Sequence, residues 1–272
     1  MTSGALALGS CSGGEKKQRW EGIHLGIEVS ISYRGDLDLE PALDLAREVE
    51  SALTMWEASS PLTWLNEMGS LKNPSKHVLR CLEKSRELFE ASEGLFDPTI
   101  RSYLRWLKTE IEEGREPTQS AAEERRRLVD FNQVSFSEKE VSIPKGMSLD
   151  LNAIAQGYLT DVVAEAIEAE SALVNFGEFR VVGEKPWPVQ VGKKSVQLSR
   201  ALAVSSGSGQ RLSATSPTNH LINPRSGESP VPDELFAVEA DEAWLADGLA
   251  TILAVGGEIP ERFRDQARRF EG

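Results

Sequence analysis

A carboxylate and a hydroxyl stand four residues apart in the segment ADGLAT, where Asp247 precedes Thr251. If this segment is helical, residues at that spacing lie on one face, so both oxygens point the same way. Such oxygens are hard ligands of the kind that Mg²⁺ and Ca²⁺ take. The pair suggests a divalent-cation site. The alternative is a surface Asp near a helix start, with the Thr hydroxyl bonded to the preceding turn.

A histidine precedes a turn in HLINPRSG, which runs from His220 to Gly227 in a chain with only three histidines. Asn223 followed by proline favours the start of a turn. Histidine titrates near neutral pH, so a histidine held beside a rigid turn suits the role of general base. The spacing shows no Ser-His-Asp or Cys-His arrangement, and a structural histidine is the alternative.

The segment SLDLNAIAQGYLTD predicts a strand that ends at Leu151 and a helix that Asn152 caps. The free N–H groups and the dipole of a helix start attract phosphate. Gly157 would let a ligand or another backbone approach that face. Asn-capped junctions are also common where no ligand binds, so a purely structural role is the alternative.

Apolar periodicity predicts the elements that precede these segments. Alternation predicts one strand over IHLGIEVSISY, and a helical stripe runs from Ala42 to Trp56. Ser75 is expected to cap a second helix. Cys81 lies in that helical pattern and is predicted to be a small core residue.

The rest of the chain alternates irregularly between strands and helices. Residues 109–127 are predicted to form a polar loop that runs into a helix, and 133–144 to form a hairpin. Short strands are predicted at ALVNFG, PVQVG and ALAVSSG, and then a strand, LFAVEA, before a helix through DEAWLADGLATILAVGG. The absence of a regular βαβ rhythm favours the α+β class.

Composition limits the function. The chain has 272 residues, of which 40% are hydrophobic, enough for a full core as one large domain or two lobes. A net charge of −13 argues against a nucleic-acid partner, since phosphate binding calls for a basic face. A small anionic ligand would need a metal ion or a helix start to offset that charge. The sequence contains no run of about 18 apolar residues, so no membrane span is predicted.

The first residues, MTSGALALGSC, resemble the end of a bacterial lipoprotein signal in which Cys11 would be lipidated. The apolar stretch is short and no Lys or Arg precedes it, so a frayed tail is the alternative. We expect residues 1–19 to form a tail, with membrane contact only through Cys11, and 20–272 to form a single domain. The lipoprotein-like start suggests the periplasmic side of the cell envelope, with the cytoplasm as the alternative.

Taken in order, the motifs resemble the FAD:protein FMN transferase family, ApbE, from about Ile23 to Gly257. The family's Gly-x-Phe-Asp-Pro-Thr stands intact from Gly94 to Thr99. LDLNAIAQGY is similar to the family's LDLGGIAKGY, and ALVNFGEFRVVG to its ALVNxGGD. HLINPRSG is similar to HIIDPRTG, and ADGLAT to ADALAT. The resemblance implies mixed, largely antiparallel sheets with packed helices, in two intimately associated lobes with a flavin groove between them.

The resemblance also implies roles for single residues. His220 would be the catalytic base, and the Ala153 carbonyl, Asp247 and Thr251 would hold Mg²⁺. Eight positions would contact the flavin nucleotide: Leu25, Trp56, Leu95, Phe96, Asp97, Asp150, Gln156 and Ile222.

The implied reaction is Mg²⁺-dependent transfer of FMN from FAD to a Ser or Thr hydroxyl of an acceptor protein, with release of AMP. This chemistry suits an acidic chain, because a cation and a helix start can offset the pyrophosphate charge. Several positions depart from the family pattern. Gln156 replaces a lysine, the loop at Gly177–Glu178 is one residue shorter, SSGSG lacks an acidic residue near Ser206, and Asn223 replaces an Asp. Two alternatives therefore stay open, namely an FAD-binding or storage protein of the cell envelope and a metal-dependent FAD diphosphatase.

Overall fold

The computed structural model describes residues 17–209, 211–213, 218–229 and 234–270. In these ranges the chain forms seven α-helices: α1 Glu40–Leu53, α2 Pro61–Met68, α3 Lys76–Ala91, α4 Arg101–Glu112, α5 Gln119–Arg126, α6 Asn152–Ala166 and α7 Ala243–Ala254. The strands are β1 Lys17–His24, β2 Ile27–Arg34, β3 Ser70–Lys72, β4 Ser135–Phe136, β5 Glu140–Ser142, β6 Ser171–Asn175, β7 Phe179–Gly183, β8 Trp187–Val191, β9 Lys194–Leu198, β10 Ala201–Ser206, β11 Leu235–Ala240 and β12 Ala267–Phe270.

A seven-stranded antiparallel sheet, in the order β1-β2-β6-β7-β10-β11-β12, organises the fold. Neighbouring residues of a strand face opposite sides of a sheet. On β10, Ala203 packs into the main core with α6 and α7, while Leu202 packs under the β8-β9 hairpin. A small sheet, β3-β5-β4, completes the molecule. The predicted α+β class with largely antiparallel sheets is confirmed.

Helices α6 and α7 pack closely against each other, and two residues of α6 explain why. A Cβ atom on Gly157 would lie 2.5 Å from the carbonyl oxygen of Ala243 and 2.6 Å from Cα of Trp244. One turn later, the buried carboxylate of Asp161 accepts hydrogen bonds from the N–H groups of the same two residues, at 2.8 and 2.9 Å. Asp161 thereby satisfies donors at the start of α7 and fixes where that helix begins.

The close approach predicts different outcomes for two glycines inside helices. Alanine is favoured over glycine in a helix by about 1 kcal/mol, so both substitutions gain that term. At Gly157 the added methyl meets the backbone of α7, whereas at Gly248 the nearest atoms belong to the Leu88 side chain, which can yield more easily than a backbone. We expect Gly157→Ala to lower the free energy of unfolding by about 2–3 kcal/mol and Gly248→Ala to change it by less than about 1 kcal/mol. Urea titration measures both, and equal losses would contradict the helix-contact explanation.

Several predicted elements agree with the structure. The Ser75 side chain accepts a hydrogen bond from Val78 N–H and caps α3, and Cys81 is fully buried within that helix. The hairpin within 133–144 is present as β4 and β5, and the last predicted strand and helix are β11 and α7.

The stretch IHLGIEVSISY was wrongly predicted as one strand. The chain reverses at Leu25 and Gly26, whose φ values are 50° and 77°, so the segment contributes the end of β1 and all of β2. Alternation did not reveal the turn because a two-residue reversal keeps the apolar rhythm on both sides.

The strand predicted at Ser148–Leu151 and the cap predicted at Asn152 are also wrong. Leu149 exchanges two hydrogen bonds with the Asn66 side chain, at 2.6 and 2.9 Å, so side chains replace a strand partner. The Asn152 N–H donates to Oδ1 of Asp150 at 2.9 Å, which makes Asp150 the residue that satisfies the helix start. The first helix also ends at Leu53, before Trp56, and residues 109–112 belong to α4 rather than to a loop.

The predicted tail overlaps the first strand, because β1 already begins at Lys17. Cys11 lies outside the described residues, and its lipidation stays a prediction. Among the described helices, none has the length and apolar character needed to cross a bilayer.

Candidate active site

A cavity of about 330 Å³ opens beside the start of α6 and the middle of α7. Its walls come from five further parts of the chain: the loop before α4, the loop between β6 and β7, the end of β10, the segment around His220 and the end of α7. Ten of the twelve predicted site residues line it: Leu95, Phe96, Asp97, Asp150, Ala153, Gln156, His220, Ile222, Asp247 and Thr251.

Asp247 and Thr251 lie on the face of α7 that borders the cavity. The Asp247 carboxylate is 5% exposed and accepts a hydrogen bond from the N–H of Gly157 at 3.2 Å. In a regular helix that N–H bonds to the carbonyl of Ala153, so Asp247 competes for the donor of this carbonyl. Ala153 also lines the cavity, and the carboxylate, the hydroxyl and the carbonyl are all hard oxygen donors. This donor set fits a divalent cation.

A second buried carboxylate, that of Glu178, faces the same cavity and is 7% exposed. Burial and then repulsion from Asp247 raise the pKa of Glu178 well above its ordinary value, against an opposing hydrogen bond from the Val204 backbone. Burial also raises the pKa of Asp247 to about 7, although the Gly157 N–H favours its charged form. Among the residues that the structure describes, no Lys or Arg lowers the pKa of either carboxylate by stabilising its charge. Neither the cavity nor any other part of the described chain contains a cluster of three or more His, Cys, Asp or Glu side chains suited to a metal.

His220 lines the cavity on a segment that its neighbours hold in place. Asn219 is fully buried, and its side-chain oxygen accepts a hydrogen bond from Leu221 N–H at 2.8 Å, across the histidine. Asn223 closes the predicted turn, because its side-chain oxygen accepts hydrogen bonds from Arg225 and Ser226 N–H groups. Its amide donates to the carbonyl of Val255 at 2.7 Å, just past the end of α7. The histidine segment is thus fixed to the helix that carries Asp247.

Asp97 lines the cavity, but its carboxylate accepts hydrogen bonds from other residues of the protein. Oδ1 accepts hydrogen bonds from the N–H and hydroxyl of Thr99, at 2.8 and 2.6 Å, and Oδ2 accepts one from Phe131 N–H at 3.2 Å. Burial raises the pKa of Asp97 to about 6. The residue therefore shapes the loop that presents Leu95 and Phe96 to the cavity.

The start of α6 brings two further predicted residues to the cavity. Asp150 bonds to the first N–H of the helix, and its other oxygen lies 3.6 Å from the Arg101 guanidinium. Gln156 lies one turn further along, where its Oε1 is 2.8 Å from the position of a Cβ on Gly177. Gly177 has a φ of 106°, so it provides both the backbone shape and the space that this contact needs.

Leu25 and Trp56 are the two predicted residues outside the cavity lining. They lie near each other, since Nε1 of Trp56 is 3.7 Å from the position of a Cβ on Gly26. The turn at Leu25 follows His24, whose ring centroid is 5.4 Å from that of Phe176, the residue before Gly177. Trp56 is 79% exposed, so its indole is available to a ligand that extends beyond the cavity.

The ApbE family model matches residues 25–270, which include every residue of this site. The chain belongs to the ApbE family. The FAD:protein FMN transferase of Haemophilus influenzae is 24% identical over 93% of this chain and 85% of the relative. The one from Vibrio cholerae is 26% identical with the same two coverages.

Solved ApbE structures share the fold. The flavinyl transferase ApbE of Pseudomonas stutzeri, in its apo form, superposes with a TM-score of 0.74 at 23% identity, covering 91% of this chain and 86% of that one. The ApbE protein of Thermotoga maritima also gives 0.74, at 19% identity, covering 88% and 87%.

The cavity contains one buried carboxylate that was not predicted as a site residue. Glu178 was noted only as part of a shortened loop, yet its side chain is buried in the cavity beside Asp247. The available signal was an acidic residue directly before an apolar strand, since β7 begins at Phe179. Charged residues are almost never fully buried unless they are paired, so spacing alone gave no reason to expect Glu178 there.

Proposed function

We propose that this chain transfers the FMN part of FAD to a Ser or Thr hydroxyl of an acceptor protein, with Mg²⁺, and releases AMP. The observation that carries the proposal is that a histidine, a carboxylate–hydroxyl pair and a helix start all border one cavity in a member of the ApbE family. Each corresponds to one requirement of phosphoryl transfer: a base, a cation site and a place for the phosphates.

The pyrophosphate of FAD would lie between the start of α6 and the inner face of α7. The dipole at the start of α6 favours an anion there. Asp247, Thr251 and the Ala153 carbonyl would hold Mg²⁺, and bound Mg²⁺ offsets pyrophosphate charge and stabilises the departing AMP. Oxygens of FAD and water would complete the coordination, which Mg²⁺ commonly takes from phosphates and water rather than from protein alone.

His220 would act on the acceptor hydroxyl, which is a poor nucleophile while it keeps its proton. The imidazole takes this proton as the hydroxyl oxygen bonds to the FMN phosphorus and the bridging P–O bond to AMP breaks. The product is a phosphoester between flavin and protein. The hydrogen bonds made by Asn219 and Asn223 support this role, because they fix the position of the histidine relative to α7.

Trp56 would stack on the flavin ring, outside the cavity that takes the phosphates. We expect Trp56→Leu to weaken FAD binding by about tenfold, as an aromatic stacking contact of about 1–1.5 kcal/mol predicts. Trp64→Leu is the matched control, since Trp64 is also exposed, at 52%. Titrations followed by fluorescence quenching measure both, and an equal loss of affinity in the two variants would place the flavin ring elsewhere.

The test is an incubation of the protein with FAD, Mg²⁺ and peptides that contain Ser or Thr, followed by mass spectrometry. Transfer predicts a flavin-phosphoester adduct on a peptide together with one AMP per adduct. Free FMN and AMP without an adduct would identify an FAD diphosphatase. Tight FAD binding with no product, over a broad set of acceptor peptides, would favour a storage protein.

A further inference from the structure

The cavity has an unusual charge balance for a site that is proposed to take a pyrophosphate. Among the described residues that line it, there is no Lys or Arg. Gln156 occupies the place of the lysine in the family pattern. Arg101 is close but lies outside the lining, paired with Asp150 at 3.6 Å. Direct ion pairing with a lining side chain therefore contributes little to holding the phosphates.

The two buried carboxylates make this balance more negative. Glu178 and Asp247 are 7% and 5% exposed, and each contributes to the cavity wall. Charges this far from water are poorly screened, so each carboxylate, when ionised, would repel a pyrophosphate strongly. A cation between them and the phosphates converts that repulsion into attraction.

Helix α6 fixes the backbone position of Glu178, so the fold itself holds the second carboxylate at the cavity. Its backbone carbonyl accepts hydrogen bonds from the Thr160 hydroxyl and from Phe176 N–H, both at 3.2 Å. Gly177, directly before it, packs against Gln156 of the same helix. The short loop therefore anchors Glu178 to the element that carries the Ala153 carbonyl.

We propose, on the basis of the function above, that Glu178 joins Asp247 in holding the divalent cation before FAD arrives, and that FAD binds far more weakly without it. The two carboxylates give up their protons as the cation binds to the free protein, and their charge then holds it. With Gln156 in place of a lysine, the bound cation then supplies most of the attraction for the pyrophosphate. Binding is therefore ordered, with the cation first.

The first experiment measures cation binding without FAD. Mn²⁺ serves as a paramagnetic substitute for Mg²⁺, and electron paramagnetic resonance counts the free ion. We expect the wild-type protein to bind Mn²⁺ alone and Glu178→Gln to bind it about 10–100-fold more weakly. Glu28→Gln is the matched control, because Glu28 is exposed on β2, and it should bind as the wild type does.

Thermal unfolding in the absence of cations shows whether Glu178→Gln is folded. Because Glu178→Gln removes one of two carboxylates that repel each other, the melting temperature of this variant should be equal to or above that of the wild type. A folded Glu178→Gln protein with wild-type Mn²⁺ affinity would overturn the assignment of Glu178.

The second experiment measures FAD affinity with Mg²⁺ and with EDTA. For the wild type we expect EDTA to weaken binding by about 100-fold or more. In Gln156→Lys a charge-assisted contact to phosphate should return, so EDTA should weaken binding by only about 10-fold or less. This variant gains a function, so a failure to fold cannot imitate the expected result.

The outcomes separate the inference from the proposed function. Wild-type FAD affinity that is the same with Mg²⁺ and EDTA would overturn the cation-first order, even if FMN transfer occurs. Mn²⁺ binding that depends on Glu178, in a protein that binds FAD but makes no adduct, would support the inference and contradict the transferase function.

Discussion

Asp247→Asn should abolish Mg²⁺-dependent FMN transfer while the protein stays folded. Asparagine has nearly the same shape and can still accept the Gly157 hydrogen bond, but it removes the charge that a cation needs. We expect transfer at saturating FAD to fall by about two to three orders of magnitude, the usual loss when electrostatic stabilisation of a transition state is removed. A Mg²⁺ titration of the rate measures this. A wild-type response to Mg²⁺ would exclude Asp247 from the cation site.

The same substitution should stabilise the cation-free protein above neutral pH. Burial raises the pKa of Asp247 to about 7, from an ordinary value of 3.8. A raised carboxyl pKa favours folding while the group is protonated, and that stability is lost as pH rises from about 4 to about 7. At pH 8, the free energy of unfolding of Asp247→Asn should therefore exceed that of the wild type by up to about 4 kcal/mol, as measured by urea titration. The two proteins should converge near pH 4.

Asp161→Asn is the control for this stability effect, because Asp161 is buried but has partners. Its carboxylate caps α7 and lies 2.5 Å from the Arg180 guanidinium. Burial raises the pKa of Asp161 as well, but both of its oxygens are acceptors, so an Asn amide would face an N–H donor of α7 and leave Arg180 without its buried partner. These lost contacts decide the sign, and the substitution should cost about 2–4 kcal/mol at pH 8. Stabilisation by Asp247→Asn together with destabilisation by Asp161→Asn would show that the Asp247 carboxylate is suited to binding a ligand and that the Asp161 carboxylate stabilises the fold. Stabilisation by both substitutions would contradict this distinction.

Sequence reasoning identified most of the cavity because its residues lie in compact motifs. Asp247 and Thr251 were found from helical spacing, and His220 from the turn that follows it. Spacing alone could not show that the two motifs meet, because contacts between distant parts of the chain join them, such as the hydrogen bond from Asn223 to Val255. The ordered set of family motifs supplied what local patterns lacked.

Two of the errors share a physical cause, which is that side chains satisfy the backbone near the site. Residues 148–151 have the apolar pattern of a strand, but Asn66 satisfies the backbone of Leu149. Asp150 rather than Asn152 satisfies the first donor of α6. Glu178 was overlooked because burying its charge costs free energy in the cation-free fold. Local propensity reports which residues favour folding, and a buried carboxylate such as that of Glu178 opposes it.

His220→Asn should remove the base and little else. An amide can fill the same turn, and the side chains of Asn219 and Asn223 accept hydrogen bonds that hold the segment. FAD and Mg²⁺ affinities should stay close to those of the wild type. Transfer should fall by about two to four orders of magnitude, the usual contribution of a positioned base. The wild-type rate should rise with pH as the histidine loses its proton, and this rise should be absent in the variant.

His77→Asn is the control, since His77 and His24 both lie outside the cavity lining. Nδ1 of His77 is 2.9 Å from the Tyr158 hydroxyl and Nε2 is 3.3 Å from Glu48, while His24 lies 2.7 Å from Glu50. Loss of the buried contacts should lower the stability of His77→Asn and leave the pH profile of transfer unchanged. Wild-type transfer by a folded His220→Asn protein would exclude His220 as the base. The acceptor proton would then have to go to a carboxylate near the cation, and Glu178 would be the first to substitute.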